Sequence, residues 1–206
     1  MKLPLTPGRV LLLCLASLAV GCAHTDAQSD EPREKSAAKA PKLSQQRQVL
    51  SEGYSMLYNE AGSLDASDLI LLVKAESEAM HKVVTAIAEA GGDTKKDLER
   101  IAKDYPGVRI DLDPLPEMEK RKRTAIAKDR AKYFAPVVGH GGREYERTVL
   151  MGFANGLNHE THLCQVMAEA EPDAGLKKFL LDTQKRYDGL LERVTKLLET
   201  EYFKNP

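Results

Sequence analysis

Apolar side chains recur every three to four residues along most of this chain, and three stretches carry a strict four–three repeat. In 65–90 the repeat runs Leu69, Val73, Glu76, Met80, Val83, Ile87, Ala90. In 143–170 it runs Tyr145, Val149, Gly152, Gly156, His159, Leu163, Val166, Ala170. In 173–203 it runs Leu176, Leu180, Thr183, Tyr187, Leu190, Val194, Leu197. A sustained 3.5-residue period keeps one seam facing a partner and favours left-handed antiparallel packing. Residues 43–61 show it more weakly through Leu50, Tyr54, Leu57 and Ala61. Short connections at 62–64 and 171–172 make two helical hairpins. The pattern predicts an all-α domain over 43–206, an antiparallel four-helix bundle with extra short helices at 94–104 and 116–134.

Local signals set the expected boundaries. Asp65 is the expected N-cap of the second helix, with Asp68 three residues on. Gly91-Gly92 is expected to stop that helix, Asp93 to cap the next, and Tyr105-Pro106-Gly107 to end it. Residues 108–113 alternate apolar and polar and read as extended before Pro114 and Pro116.

Candidate chemistry lies where a seam is not apolar. Glu76, His159, Thr183 and Tyr187 occupy seam positions, and Glu160 lies on the other flank of the same apolar face. A buried carboxylate is costly unless it is protonated, hydrogen-bonded, ion-paired or metal-bound. Two readings follow. Glu76, His159, Thr183 and Tyr187 form a buried polar cluster, with Tyr187 bonded to His159; or Glu76, His159 and Glu160 hold one transition-metal ion. A dinuclear carboxylate site needs about four Glu and two His directed inward, more than the seams offer. Glu78-Ala79-Met80-His81 matches Glu-x-x-His, but Glu78 falls opposite the apolar face among Lys74, Lys82 and Glu89. His162 falls on the polar side of its helix, and His159-Glu160-Thr161-His162 lacks the zinc-protease spacing.

Other features read as structure. Gly152 and Gly156 share a seam and are expected to admit a neighbouring helix closely. Gly139-His140-Gly141-Gly142 reads as a hinge, with an anion cradle at the N-terminus of the following helix as its alternative. The basic run Lys120-Arg121-Lys122-Arg123 reads as a solvated face, with contact to anionic headgroups or a cell-wall polymer as its alternative. Asp111 and Asp113 do not make a calcium loop because Pro114 and Leu115 follow. Cys164 reads as a core residue, with an intermolecular disulfide as its sharper alternative. No Ser-His-Asp or Cys-His arrangement emerges, so no catalytic activity is expected and no cofactor beyond that one ion.

The N-terminus gives an address. Lys2 and Arg9 precede the apolar run Val10–Val20, which ends at Gly21-Cys22 and is shorter than the roughly 20 residues that span a bilayer. The stretch Ala19-Val20-Gly21-Cys22 resembles the lipobox of bacterial lipoproteins. That resemblance implies a signal peptide over 1–21 and a diacylated Cys22 anchoring the protein in a membrane. Ala23, rather than Asp, implies by the same resemblance the outer membrane, with the domain facing the periplasm. Residues 22–42 contain no bulky apolar side chain and are expected to form a disordered tether with a reach of roughly 25 Å. Removing Lys2 and Arg9 from the 30 basic residues leaves 28 against 31 acidic ones, a balance that excludes a strongly basic nucleic-acid binder.

The run Arg143-Glu144-Tyr145-Glu146 leading to Asn158-His159-Glu160 resembles uncharacterised exported bacterial proteins of the ferritin-like bundle type, in which a histidine follows a leading aromatic by about fourteen residues. The resemblance implies a ferritin-like fold. The expected function is an envelope lipoprotein carrying an interaction or structural domain, with an unidentified envelope protein or a second copy as partner. The alternative is a ferritin-like bundle that binds a metal or serves in stress.

Overall fold

A computed structural model of the chain describes residues 44–72, 77–133 and 142–203. The expected signal peptide, Cys22 and tether lie outside them, as do Glu76 and residues 139–141. Among the described residues every regular element is a helix. They are α1 (Gln45–Asp65), a 3₁₀ segment (Ala66–Leu72), α2 (Glu78–Asp104), α3 (Glu117–Tyr133), α4 (Gly142–Ala170) and α5 (Ala174–Leu197), which passes into a π turn (Leu198–Phe203). None is long and apolar enough to cross a membrane.

Helix α1 packs along α2 and α4 along α5, while α1 also meets α4 and α2 meets α5. Leu50, Tyr54, Leu57, Ala61 and Leu64 are the buried stripe of α1, and Leu176, Leu180, Thr183, Tyr187, Leu190 and Val194 that of α5. From Leu50 to Ala61 and from Leu176 to Val194 the stripes are the expected ones; Leu197, the last expected seam residue of α5, is half-buried, and Leu198 is buried beside it. The three-residue turn 171–173 makes α4 and α5 an antiparallel hairpin, with the Asp173 carboxylate accepting from Leu176 N at 2.9 Å to cap α5. Helix α3 lies apart: every described side chain on it is exposed or half-exposed. Its Arg123 reaches Glu60 at 2.5 Å and its Lys120 reaches Asp113 at 2.5 Å.

Several local expectations are corrected. Asp65 ends α1 instead of starting the next helix; Ser77 caps α2, its hydroxyl accepting from Met80 N. Gly91-Gly92 does not stop α2, which runs unbroken past Asp93 to Asp104. A Cβ on Gly91 would lie 2.5 Å from Asp65 N and 2.7 Å from Ala61 O. The glycine pair is there for close approach of α1, and the helix absorbs its propensity cost of about 1 kcal/mol per residue. Because the obstructing atoms are backbone, Gly91→Ala is expected to cost about 2 kcal/mol in urea unfolding. Gly62→Ala, with nothing within 4 Å, is expected to gain about 0.5–1 kcal/mol in the same measurement. Residues 108–113, expected to be extended, lie outside every helix. Two α1 serines hold this stretch: Ser51 Oγ donates to Gly107 O at 3.1 Å, and Ser55 Oγ accepts from Leu112 N at 3.1 Å. Val108 is buried there.

Candidate functional site

The polar chemistry of the domain is organised by α4, and by a seam shifted one residue from the expected one. The inward repeat is Glu146, Leu150, Phe153, Leu157, Glu160, Cys164, Met167, Glu171, again in four–three spacing, all buried but the half-buried Phe153. Tyr145 and Val149 of the expected seam are buried, but His159, Val166 and Ala170 are exposed. The displacement has a physical cause: three carboxylates occupy the true seam, and a reading that keeps charge outside skips them.

Two of the three are fully engaged. At the C-terminal end of α4, Glu171 takes a fork of hydrogen bonds from Arg47 at 2.7 and 2.9 Å. It also accepts from the Tyr54 hydroxyl at 2.9 Å and from Asp173 N at 3.1 Å. The bond to Glu171 holds the Arg47 guanidinium above its ordinary value, and burial beside the carboxylate pushes the Tyr54 phenol well up. At the N-terminal end, Glu146 accepts from Ser77 N at 2.5 Å and from the Tyr202 hydroxyl. Arg143 stacks over the Tyr202 ring at 5.2 Å from its centroid, and burial raises that phenol to about 12. These carboxylates tie α4 to the start of α1, the start of α2 and the π turn.

The middle carboxyl is different. Glu160 is 7% exposed, and its Oε2 has no hydrogen-bond partner. Burial, and after it the charge of Glu60, raise its pKa to about 8, against the opposing charge of Arg123. Cys164, one turn on, has its thiol pushed up to about 12 by burial and then by Glu160. The Tyr187 phenol across the hairpin is raised mainly by burial, against the hydroxyl of Thr94 on α2. Thr161 Oγ1, Thr183 Oγ1 and the Tyr187 oxygen lack well-formed hydrogen bonds and share this buried region of α4 and α5. Buried polar atoms normally find partners, so this stretch is the least satisfied part of the core.

Of the residues expected in a buried cluster, Thr183 and Tyr187 are in the core and His159 is not. His159 is exposed, and what Tyr187 faces is Glu160 and Cys164. His159 and Glu160 therefore point to different environments, and Glu76 lies outside the described residues. Among the described residues no three His, Cys, Asp or Glu side chains stand close enough to hold a metal ion. Glu78 and His81 are exposed, Glu78 pairing with Lys82 at 2.6 Å, and exposed His162 Nδ1 lies 2.8 Å from Asn158 O. Cys164 is a free, buried cysteine.

The opposite flank of α4 also departs from expectation. Among the described residues no neighbouring helix closes on Gly152 or Gly156; a Cβ on either would meet none of their atoms within 4 Å. They line an open groove of about 740 Å³ between α4, the end of α1, the 3₁₀ segment and α3. Sequence reasoning missed this groove, the Arg47–Tyr54–Glu171 cluster and the Glu146–Tyr202 contact. One signal was available for the carboxylates: Glu146, Glu160 and Glu171 are fourteen and eleven residues apart, which places them on one helix face.

No protein-family model matches this chain, and neither a curated protein nor a solved structure matches it.

Proposed function

We propose that this chain is a lipid-anchored protein of the bacterial cell envelope whose helical domain is a binding module without catalytic activity. The observation that carries the anchoring is Ala19-Val20-Gly21-Cys22 after a short apolar run. The pairing of α1 with α2 and of α4 with α5, cross-linked through α1–α4 and α2–α5, supports an antiparallel four-helix bundle of ferritin-like type. Support for binding over catalysis comes from how the reactive groups are used. Glu146 and Glu171 are consumed in structural hydrogen bonds, and the Cys164 thiol is buried and protonated at neutral pH. The open groove beside Gly152 and Gly156 is the surface such a module would use. With Ala23 after the cysteine, the outer membrane is the proposed location and the periplasm the compartment the domain faces.

Detergent phase partition of the expressed protein tests the anchor. The wild type is expected in the detergent phase, and Cys22→Ala is expected to move it wholly to the aqueous phase. A wild-type protein that partitions to water, or a Cys22→Ala protein that stays with detergent, overturns the proposal.

A further inference from the structure

We propose that the groove over Gly152 and Gly156 binds an aliphatic chain bearing a cationic head, an amine or ammonium amphiphile. This deepens the binding-module reading by naming a ligand class; the anchor at Cys22 is tested separately by phase partition.

The groove is built for an occupant that approaches backbone. Gly152 and Gly156 are one turn apart on α4, and each costs its helix about 1 kcal/mol relative to alanine. Among the described residues no atom lies within 4 Å of where a Cβ on either would stand. Elsewhere the same fold uses glycine against a neighbour, as Gly91 shows against Asp65 and Ala61. The walls are apolar, formed by Leu64, Ile70, Val149 and Phe153. The lining runs along α4 from Thr148 to Gly156, about 12 Å at 1.5 Å per residue, the length of a medium alkyl chain. Its 740 Å³ falls within the range of ligand clefts, about 300–1,000 Å³.

A second observation points the same way. Ser67, in the 3₁₀ wall, is 5% exposed, and its hydroxyl has no hydrogen-bond partner. A polar group so placed is satisfied by a ligand atom that donates or accepts.

Charge selects the head. The charged residues lining the groove, Glu60 and Asp129, are both acidic, and no basic residue lines it among the described residues. Arg123 already places a guanidinium on Glu60 at 2.5 Å, and Lys132 stands 3.6 Å from Asp129. Both pairs are solvent-exposed, a class worth about 0–1 kcal/mol, so a ligand cation can compete for these carboxylates. Behind Glu60 stands Glu160, whose carboxyl also feels that negative charge. An anionic head would meet carboxylates here.

The test is isothermal calorimetry on the full chain carrying Cys22→Ala, titrated with dodecylammonium, dodecanol and dodecanoate below their micelle thresholds. Dodecylammonium is expected to saturate one site and to bind at least about tenfold more tightly than dodecanoate. Gly152→Leu and Gly156→Leu place their side chains in open space, so both are expected to fold with unchanged helical signal. Each is expected to weaken dodecylammonium about tenfold or more, the factor lost when about two methylenes are displaced from an apolar site. Absence of saturable binding, or leucine variants that bind as the wild type does, overturns the site. Dodecanol or dodecanoate matching dodecylammonium overturns the cationic head.

Discussion

Replacing Glu160 with glutamine is expected to stabilise the protein at pH 8 and to change it little at pH 5. In the unfolded chain this carboxyl titrates near about 4.3, whereas in the folded protein burial carries it to about 8. Between those values the folded state holds a proton that the unfolded state has released, so stability falls as pH rises through the interval. Below about 4.3 the native advantage of the protonated form is complete; above about 8 it is gone. At pH 7 the wild type has given up on the order of 3 kcal/mol relative to acid. Besides burial, two charges set this shift: Glu60 on α1 raises it and Arg123 on α3 lowers it; the Cys164 thiol and the Tyr187 phenol feel the carboxyl in turn. Glutamine has the shape of the protonated acid and no charge at any pH, so its advantage should grow with pH. Part of that gain is offset because its amide enters a region where Oε2 already lacks a partner. Urea unfolding of both proteins at pH 5, 7 and 8.5 reads the effect: the stability difference should open from near zero to about 2–3 kcal/mol. Parallel curves would mean that Glu160 is ionised in the native state and has a compensating partner.

The same carboxyl shows where sequence periodicity is a faithful guide and where it is not. In α5 and α1 the seam residues are apolar or neutral, so the four–three spacing of Leu176 to Val194 and of Leu50 to Ala61 is also their burial pattern. Helix α4 has two candidate seams one residue apart. Choosing the less charged one selects Tyr145 and His159 over Glu146 and Glu160, which turns His159 inward on paper and leaves it exposed in the fold. The partners that make buried charge tolerable, Arg47 and Tyr54 for Glu171 and Tyr202 for Glu146, are each more than 50 residues away. No local pattern reports such pairs. The glycines failed for a related reason. A glycine marks close approach or open space with the same letter, and only the neighbouring helix decides. Gly91-Gly92 looked like a stop and is a crossing; Gly152 and Gly156 looked like a crossing and line a groove. The groove itself is formed by elements distant in sequence, so it was beyond reach of spacing alone.

Arg47→Met is expected to be the most damaging single change among those that leave apolar packing intact. The Glu171 side chain has no solvent exposure, while Arg47 retains 18%. Losing the guanidinium strands the carboxylate with the Tyr54 hydroxyl and Asp173 N as its remaining donors. Removing one partner of a buried pair costs about 3–5 kcal/mol, and the partial exposure of Arg47 points to the lower end, about 3 kcal/mol. For a domain of this size that corresponds to a fall in Tm of roughly 6–12 °C. Glu171→Met is expected to cost less, because the freed guanidinium can turn to water, leaving the buried Tyr54 hydroxyl and the part-buried Asp173 N without their acceptor. The double variant Arg47→Met/Glu171→Met removes both charges, and similar apolar volume should recover much of the loss. Its melting temperature is therefore expected to lie above that of Arg47→Met alone. A double variant as unstable as the sum of the two single changes would show that the cluster contributes through packing rather than through charge. The fork geometry, two bonds at 2.7 and 2.9 Å onto an acid that also caps the α4–α5 turn, argues for charge.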